Sequence, residues 1–100
     1  MVSGILGKAD LAAATPTAVY TVAVGLTATV SVNFCNRNAV PVLVRLSTYG
    51  TTLSGYLIYD FEVGPNESLE RTGLVLQAGL SVTAQSNLSG VSAIVYGFEE

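Results

Sequence analysis

Apolar and polar residues alternate along much of this chain. From Thr27 to Cys35, Ala28, Val30, Val32 and Phe34 fall on one face, and Thr29, Ser31, Asn33 and Cys35 on the other. A period of two is the mark of a half-buried strand. Val40 to Leu46 repeats it, with Val40, Val42, Val44 and Leu46 predicted inward and Leu43, Arg45 and Ser47 outward. Pro41 has no N–H to give a ladder, so it belongs at a strand start or an edge. Tyr56 to Val63 predicts a further strand, with Leu57, Tyr59, Phe61 and Val63 on one face and Tyr56, Ile58, Asp60 and Glu62 on the other. Ala18–Val24, Leu69–Leu76, Leu80–Ser86 and Val91–Phe98 complete the apolar runs.

The punctuation between these runs is that of turns. Gly25, Asn36-Arg37-Asn38, Gly64-Pro65-Asn66-Glu67, Ala78-Gly79 and Asn87-Leu88-Ser89-Gly90 each separate two of them, and Asn and Gly are the residues that tolerate positive φ. Gly73 interrupts its run and predicts a bulge. Tyr49 to Gly55 reads as a loop. Seven or eight short strands at spacings of roughly 8–12 residues predict a single all-β domain, an antiparallel β-sandwich over residues 18–100, jelly-roll or immunoglobulin-like. Residues 1–17, rich in Ala and Gly, are expected to form an extended N-terminal arm or an extra edge strand. Asp10 to Ala14 has room for one helical turn before Pro16.

Composition sharpens this picture. At 100 residues, area scaling gives about 5,400 Å² of folded surface, enough for one modest core. Val supplies 14 residues and Thr 10, both β-branched and suited to a pleated sheet. Only 11% of residues are charged, against about 25% in ordinary domains. So few charges on so small a domain imply that much of its surface is covered by something else. The net charge of −3 and the scatter of Lys8, Arg37, Arg45 and Arg71 supply no basic stripe for nucleic acid and no attraction to an anionic membrane. No apolar run is long enough to span a bilayer. The first residues lack the form of a signal peptide, so a cytoplasmic site of synthesis is expected.

Candidate chemistry is sparse. There is no His and one Cys, so Cys35 has neither a disulfide partner nor an activating base and reads as a small hydrophobe in a strand. Asp60 and Glu62 share a strand face, too few ligands for a calcium site and no evidence for a glycosidase pair. There is no G-x-S-x-G elbow and no phosphate-cradling glycine loop. No enzyme activity, metal or cofactor is therefore expected. Asn66-Glu67-Ser68 and Asn87-Leu88-Ser89 fit the glycosylation pattern but read as polar turns. Tyr49, Tyr56 and Tyr59 cluster around the central loop, where exposed rings can stack on sugars or anchor an interface.

Val19-Tyr20-Thr21-Val22 followed by Gly25 is similar to the "Y-T-V-P-x-G" opening of small structural proteins of tailed-phage virions, with Ala23 where proline is common. Asn36-Arg37-Asn38-Ala39 followed by Val42-Leu43-Val44-Arg45-Leu46 resembles their "C-N-R-N/S" hairpin and next strand. Leu69 to Leu76, Ala78-Gly79 and the ending Tyr96-Gly97-Phe98-Glu99-Glu100 are similar to their later segments. The likeness spans roughly residues 15–100 and implies a β-sandwich virion protein. Its role would be a capsid decoration (cement) subunit, with a tail, fibre or head-to-tail component, or a carbohydrate-binding module on the virion, as the alternatives. The implied partners are the major capsid protein or other virion proteins, and the implied assembly is a homotrimer. The residues expected at the interface are Val2, Ile5, Leu6 and Leu11 on an arm reaching a neighbouring subunit, with Arg45, Tyr49, Tyr56 and Arg71. On that expectation, deleting residues 1–14 leaves a folded domain that no longer binds its particle.

Overall fold

The computed structural model describes residues 2–48 and 56–100. Among these, the chain forms eight strands and no helix: β1 Val2–Leu11, β2 Thr17–Thr21, β3 Ala28–Asn36, β4 Val42–Ser47, β5 Tyr56–Val63, β6 Ser68–Leu76, β7 Ser81–Ser86 and β8 Val91–Glu99. They make two four-stranded sheets, ordered β1-β8-β3-β6 and β2-β7-β4-β5. Each strand of the first half pairs antiparallel with one of the second: β1 with β8, β2 with β7, β3 with β6 and β4 with β5. One long hairpin rolled into two facing sheets is the jelly-roll arrangement.

The core lies between the sheets. It is built from the inward faces of β3 (Val30, Val32, Phe34), β4 (Val42, Val44, Leu46), β7 (Val82, Ala84) and β8 (Val91, Ala93, Val95), closed by Leu11, Val22, Ile58, Val63, Leu74 and Leu76. β3 alternates buried and half-buried residues along its whole length, as its sequence period requires. The accessible surface is 5110 Å², near the value expected from mass.

Residues 2–11 take the second of the two forms expected for the N-terminal segment. They are an edge strand, paired with β8 from Val2↔Glu99 to Leu11↔Val91 with one register shift between Ile5 and Gly7. Leu11 is 2% exposed, so it is a core residue and not an interface residue. Gly7 explains the fit: a Cβ there would stand 2.2 Å from the Val19 carbonyl oxygen, so β1 approaches β2 more closely than any side chain allows.

Two further departures have local causes. Val40 is 51% exposed, because β4 begins only after Pro41. In β5 the two expected faces are mixed: Ile58 from one and Val63 from the other are buried, while Tyr59 and Phe61 are exposed. Across β4, Val44 pairs with Phe61 but Leu46 with Ile58, so β5 carries one extra residue. Asp60 absorbs it with φ 52°, a left-handed conformation that Asp tolerates. A second register shift, at Leu46/Ser47, accompanies the burial of Ser47, which the alternation places outward. The bulge expected at Gly73 is present, with φ 74° and a register shift between Val30 and Val32 on the partner strand. The Tyr49 to Gly55 loop lies outside the described residues.

Candidate interaction surfaces

Because β3 buries Ala28, Val30, Val32 and Phe34, its residues Thr29, Ser31, Asn33 and Cys35 face outward. The ladder then sets their neighbours. Phe98 pairs with Thr29, and Tyr96 with Ser31. Ile5 stands beside Tyr96, and Val75 beside Thr29. One end of the outer face of the β1-β8-β3-β6 sheet is thus apolar. Ile5 is 66%, Val75 69% and Phe98 39% exposed, and the small Thr29 and Ser31 between them keep it flat. Charge gathers toward the other end, where Lys8 stands beside Ile94 and Asp10 beside Ser92. Asp10 meets the Arg37 guanidinium at 3.3 Å, and Glu70 accepts from the Tyr96 hydroxyl. Cys35 is half-buried and free.

The opposite sheet carries a different surface on β4, β5 and β7. Arg45 donates to Asp60 through Nε at 2.6 Å and Nη2 at 3.2 Å. Its guanidinium lies 4.3 Å over the Tyr59 ring, against which Tyr56 packs edge-on at 4.7 Å. The Arg45 hydrogen bonds hold the Asp60 carboxyl below its usual value and raise the guanidinium in return. Arg45 faces Gln85 across the β4–β7 ladder. Asn87 joins this group from the end of β7: its Oδ1 accepts the Leu43 N–H at 2.9 Å, and its own N–H donates to the Leu43 carbonyl at 3.0 Å.

The residues expected at an interface are therefore divided. Ile5 sits in the apolar end of one sheet face, and Arg45 and Tyr56 belong to the cluster on the other. Arg71 is exposed on the edge strand β6, beside its bulge. Leu6 is half-buried and packs against the core, as Leu11 fills it. Val2 lies in β1, and Tyr49 lies outside the described residues. Tyr59 is exposed beside Tyr56, as their clustering suggested, whereas Val75, Phe98 and Phe61 escaped the sequence reading. Alternation in β6 and β8 carried the signal for Val75 and Phe98; nothing local carried it for Phe61, which shares the inward face with Val63 but is 53% exposed on the edge strand β5.

Of the four strand edges, β2 is only five residues long, and the other three are poor templates for a further strand. β1 carries Lys8 and Asp10, β5 carries Glu62 and the Asp60 bulge, and β6 carries Glu70, Arg71 and the Gly73 bulge. Charges and bulges are the devices that block edge pairing. Among the described residues no group of acidic, Cys or His side chains could hold a metal ion, and no helix is long and apolar enough to cross a membrane.

No protein-family model matches the chain, and no curated protein matches it. Among solved structures, a chain of the cyanophage Pam1 capsid asymmetric unit is similar over 98% of this chain and 88% of its own, with 17% identity and a TM-score of 0.46. A likeness of that degree carries no argument about function.

Proposed function

We propose that this chain is a non-enzymatic structural protein of a bacteriophage virion: a capsid decoration subunit that lies across neighbouring capsid subunits and adds buried area at their seams. The observation that carries the reading is the exposed apolar end formed by Ile5, Tyr96, Phe98 and Val75 on a domain with only 11% charged residues. The whole outer face, of which this patch is one end, has four strands about 4.8 Å apart and nine residues of about 3.3 Å each, or roughly 19 by 30 Å. That is most of the ~800 Å² each partner contributes to a standard interface. The phage assignment rests on the turn and strand motifs in residues 15–100. Contact through sheet faces replaces the N-terminal arm as the mode of attachment, since β1 is committed to β8. A subunit that binds only the assembled shell stabilises it by mass action, and more so as its sites fill. A homotrimer on three-fold positions of the shell suits this role.

The test is copy number in purified virions of the encoding phage, by quantitative mass spectrometry against the major capsid protein. Copies in the hundreds are the expected result. A few to a few tens per particle would assign the chain to the tail or the head-to-tail junction, and its absence from the particle would overturn the reading.

A further inference from the structure

The cluster on β4, β5 and β7 borders a depression of about 270 Å³ lined by Ala14, Leu43, Arg45, Asp60, Gln85 and Asn87. We propose that this depression binds a neutral sugar residue of a glycan, with Asp60, Asn87 and the Arg45 edge taking its hydroxyls. This site lies on the opposite sheet from the apolar face and is independent of the virion role.

The argument begins with the polar inventory. Arg45 spends two of its N–H groups on Asp60 and has five, so three remain. Asp60 keeps lone pairs beyond those two bonds. Asn87 uses Oδ1 on Leu43, which leaves its Nδ2 as a donor. Gln85 lines the depression with the rest of its side chain, while its Oε1 is sealed from solvent and out of a ligand's reach. Donors and acceptors thus alternate over a few ångströms, which suits a group that does both. A hydroxyl does, and vicinal hydroxyls of a sugar do so at neighbouring positions.

Charge excludes the other classes of ligand. Arg45 and Asp60 cancel each other, so the site attracts neither an anion nor a cation. A single carboxylate is too few for a hard metal ion. An extended peptide would seek a sheet edge, whereas these side chains stand on the surface of three adjacent strands. Leu43 and Ala14 give the C–H face of a sugar ring an apolar contact. Tyr59 and Phe61, on either side of Asp60, are 58% and 53% exposed, and Tyr56 is 41% exposed. The size is that of a small ligand pocket, with room for one monosaccharide. Arg45 is clamped between the Tyr59 ring and the Asp60 carboxylate, so little ordering remains to be done on binding.

The experiment is saturation-transfer NMR on the full chain with methyl glycosides of neutral hexoses and N-acetylhexosamines at millimolar concentration. Saturation transfer to at least one sugar is expected, weakened at least tenfold in Asp60→Asn, whose substitution is on the surface. Arg45→Gln is expected to do the same and serves as a second variant, with circular dichroism to confirm that each is folded. No transfer to any sugar, or transfer undiminished in the folded variants, overturns the proposal. Either result leaves the virion count untouched, so the two readings fail separately.

Discussion

Replacing Asn36 with alanine removes one buried amide that ties two turns together at one end of the sandwich. Asn36 is fully buried. Its Nδ2 donates to the carbonyls of Val40, Val63 and Gly64 at 2.9, 3.1 and 3.0 Å, and its Oδ1 accepts the Asn38 N–H at 2.9 Å. The first carbonyl lies between β3 and β4; the other two lie where β5 turns toward β6. Two N–H groups serve three acceptors, so the set is worth about three ordinary bonds, or about 3 kcal/mol net. The Val63 carbonyl is the one sealed from water, and leaving it short of a partner adds about 1 kcal/mol. A loss near 3–4 kcal/mol is large against the about 5–15 kcal/mol that holds a domain together. It corresponds to a fall in Tm of about 12–30 °C at this size, and to a drop of about 1–4 M in the urea midpoint. Urea titration followed by far-ultraviolet circular dichroism reads it directly. Asn38→Ala is the control, because its Nδ2 bonds the Ser89 carbonyl at the exposed surface; it is expected to cost under about 1 kcal/mol. Asn36→Asp has the right size but sets a carboxylate against three carbonyl oxygens, so it is expected to cost more than alanine at neutral pH. Burial raises such a carboxyl above its unfolded value, and the penalty is relieved as pH falls through that raised value. A loss below about 1 kcal/mol for Asn36→Ala would refute the reasoning, since it would mean that the amide contributes nothing beyond filling space.

Leu11→Ala is expected to cost about 2–5 kcal/mol, as for any leucine sealed in a core, and removal of residues 1–11 is expected to abolish the cooperative urea transition; a truncated chain that unfolds with the full-length midpoint would restore the free-arm reading. Tyr20 is pushed up to about 12 by burial first and then by its hydrogen bond and charge contact with Glu99. Its contribution is therefore complete below the unfolded value near 10 and lost as pH rises from about 10 to 12. The urea midpoint is expected to fall over that window, and Tyr20→Phe to flatten the fall; an unchanged slope in the variant would assign the pH dependence to other tyrosines.

What could be read from the sequence follows from which interactions are local. β3 was legible because both its faces obey one period with no interruption from Ala28 to Asn36, and Gly73 was legible because only a bulge or a turn needs glycine inside an apolar run. Strand order was not legible. β1 finds β8 and β2 finds β7 across most of the chain, and many pairings share the same alternation. Asn36 looked like one more turn residue. Its value comes from Val63 and Gly64, 27 and 28 residues away, which no local pattern announces.

The β5 error has a deeper origin. A bulge is a property of two strands: Tyr56–Val63 alone reads as a clean alternation, and the extra residue exists only relative to β4. Inserting it at Asp60 reverses the face of everything beyond it, which carries Ile58 inward and leaves Tyr59 exposed. The same step brings Asp60 against Arg45 and lays Arg45 over Tyr59. A regular strand would turn Tyr59 onto the inward face with Phe61 and Val63 and leave Ile58 outside, at the expense of this surface. The chain instead keeps the Tyr59 ring in water and places a non-glycine residue at positive φ. Departures from local consistency gather where a surface is used. The irregularity that concealed this cluster from the sequence is therefore what builds it, and it argues that the β4–β5 surface is kept for recognition and not for packing.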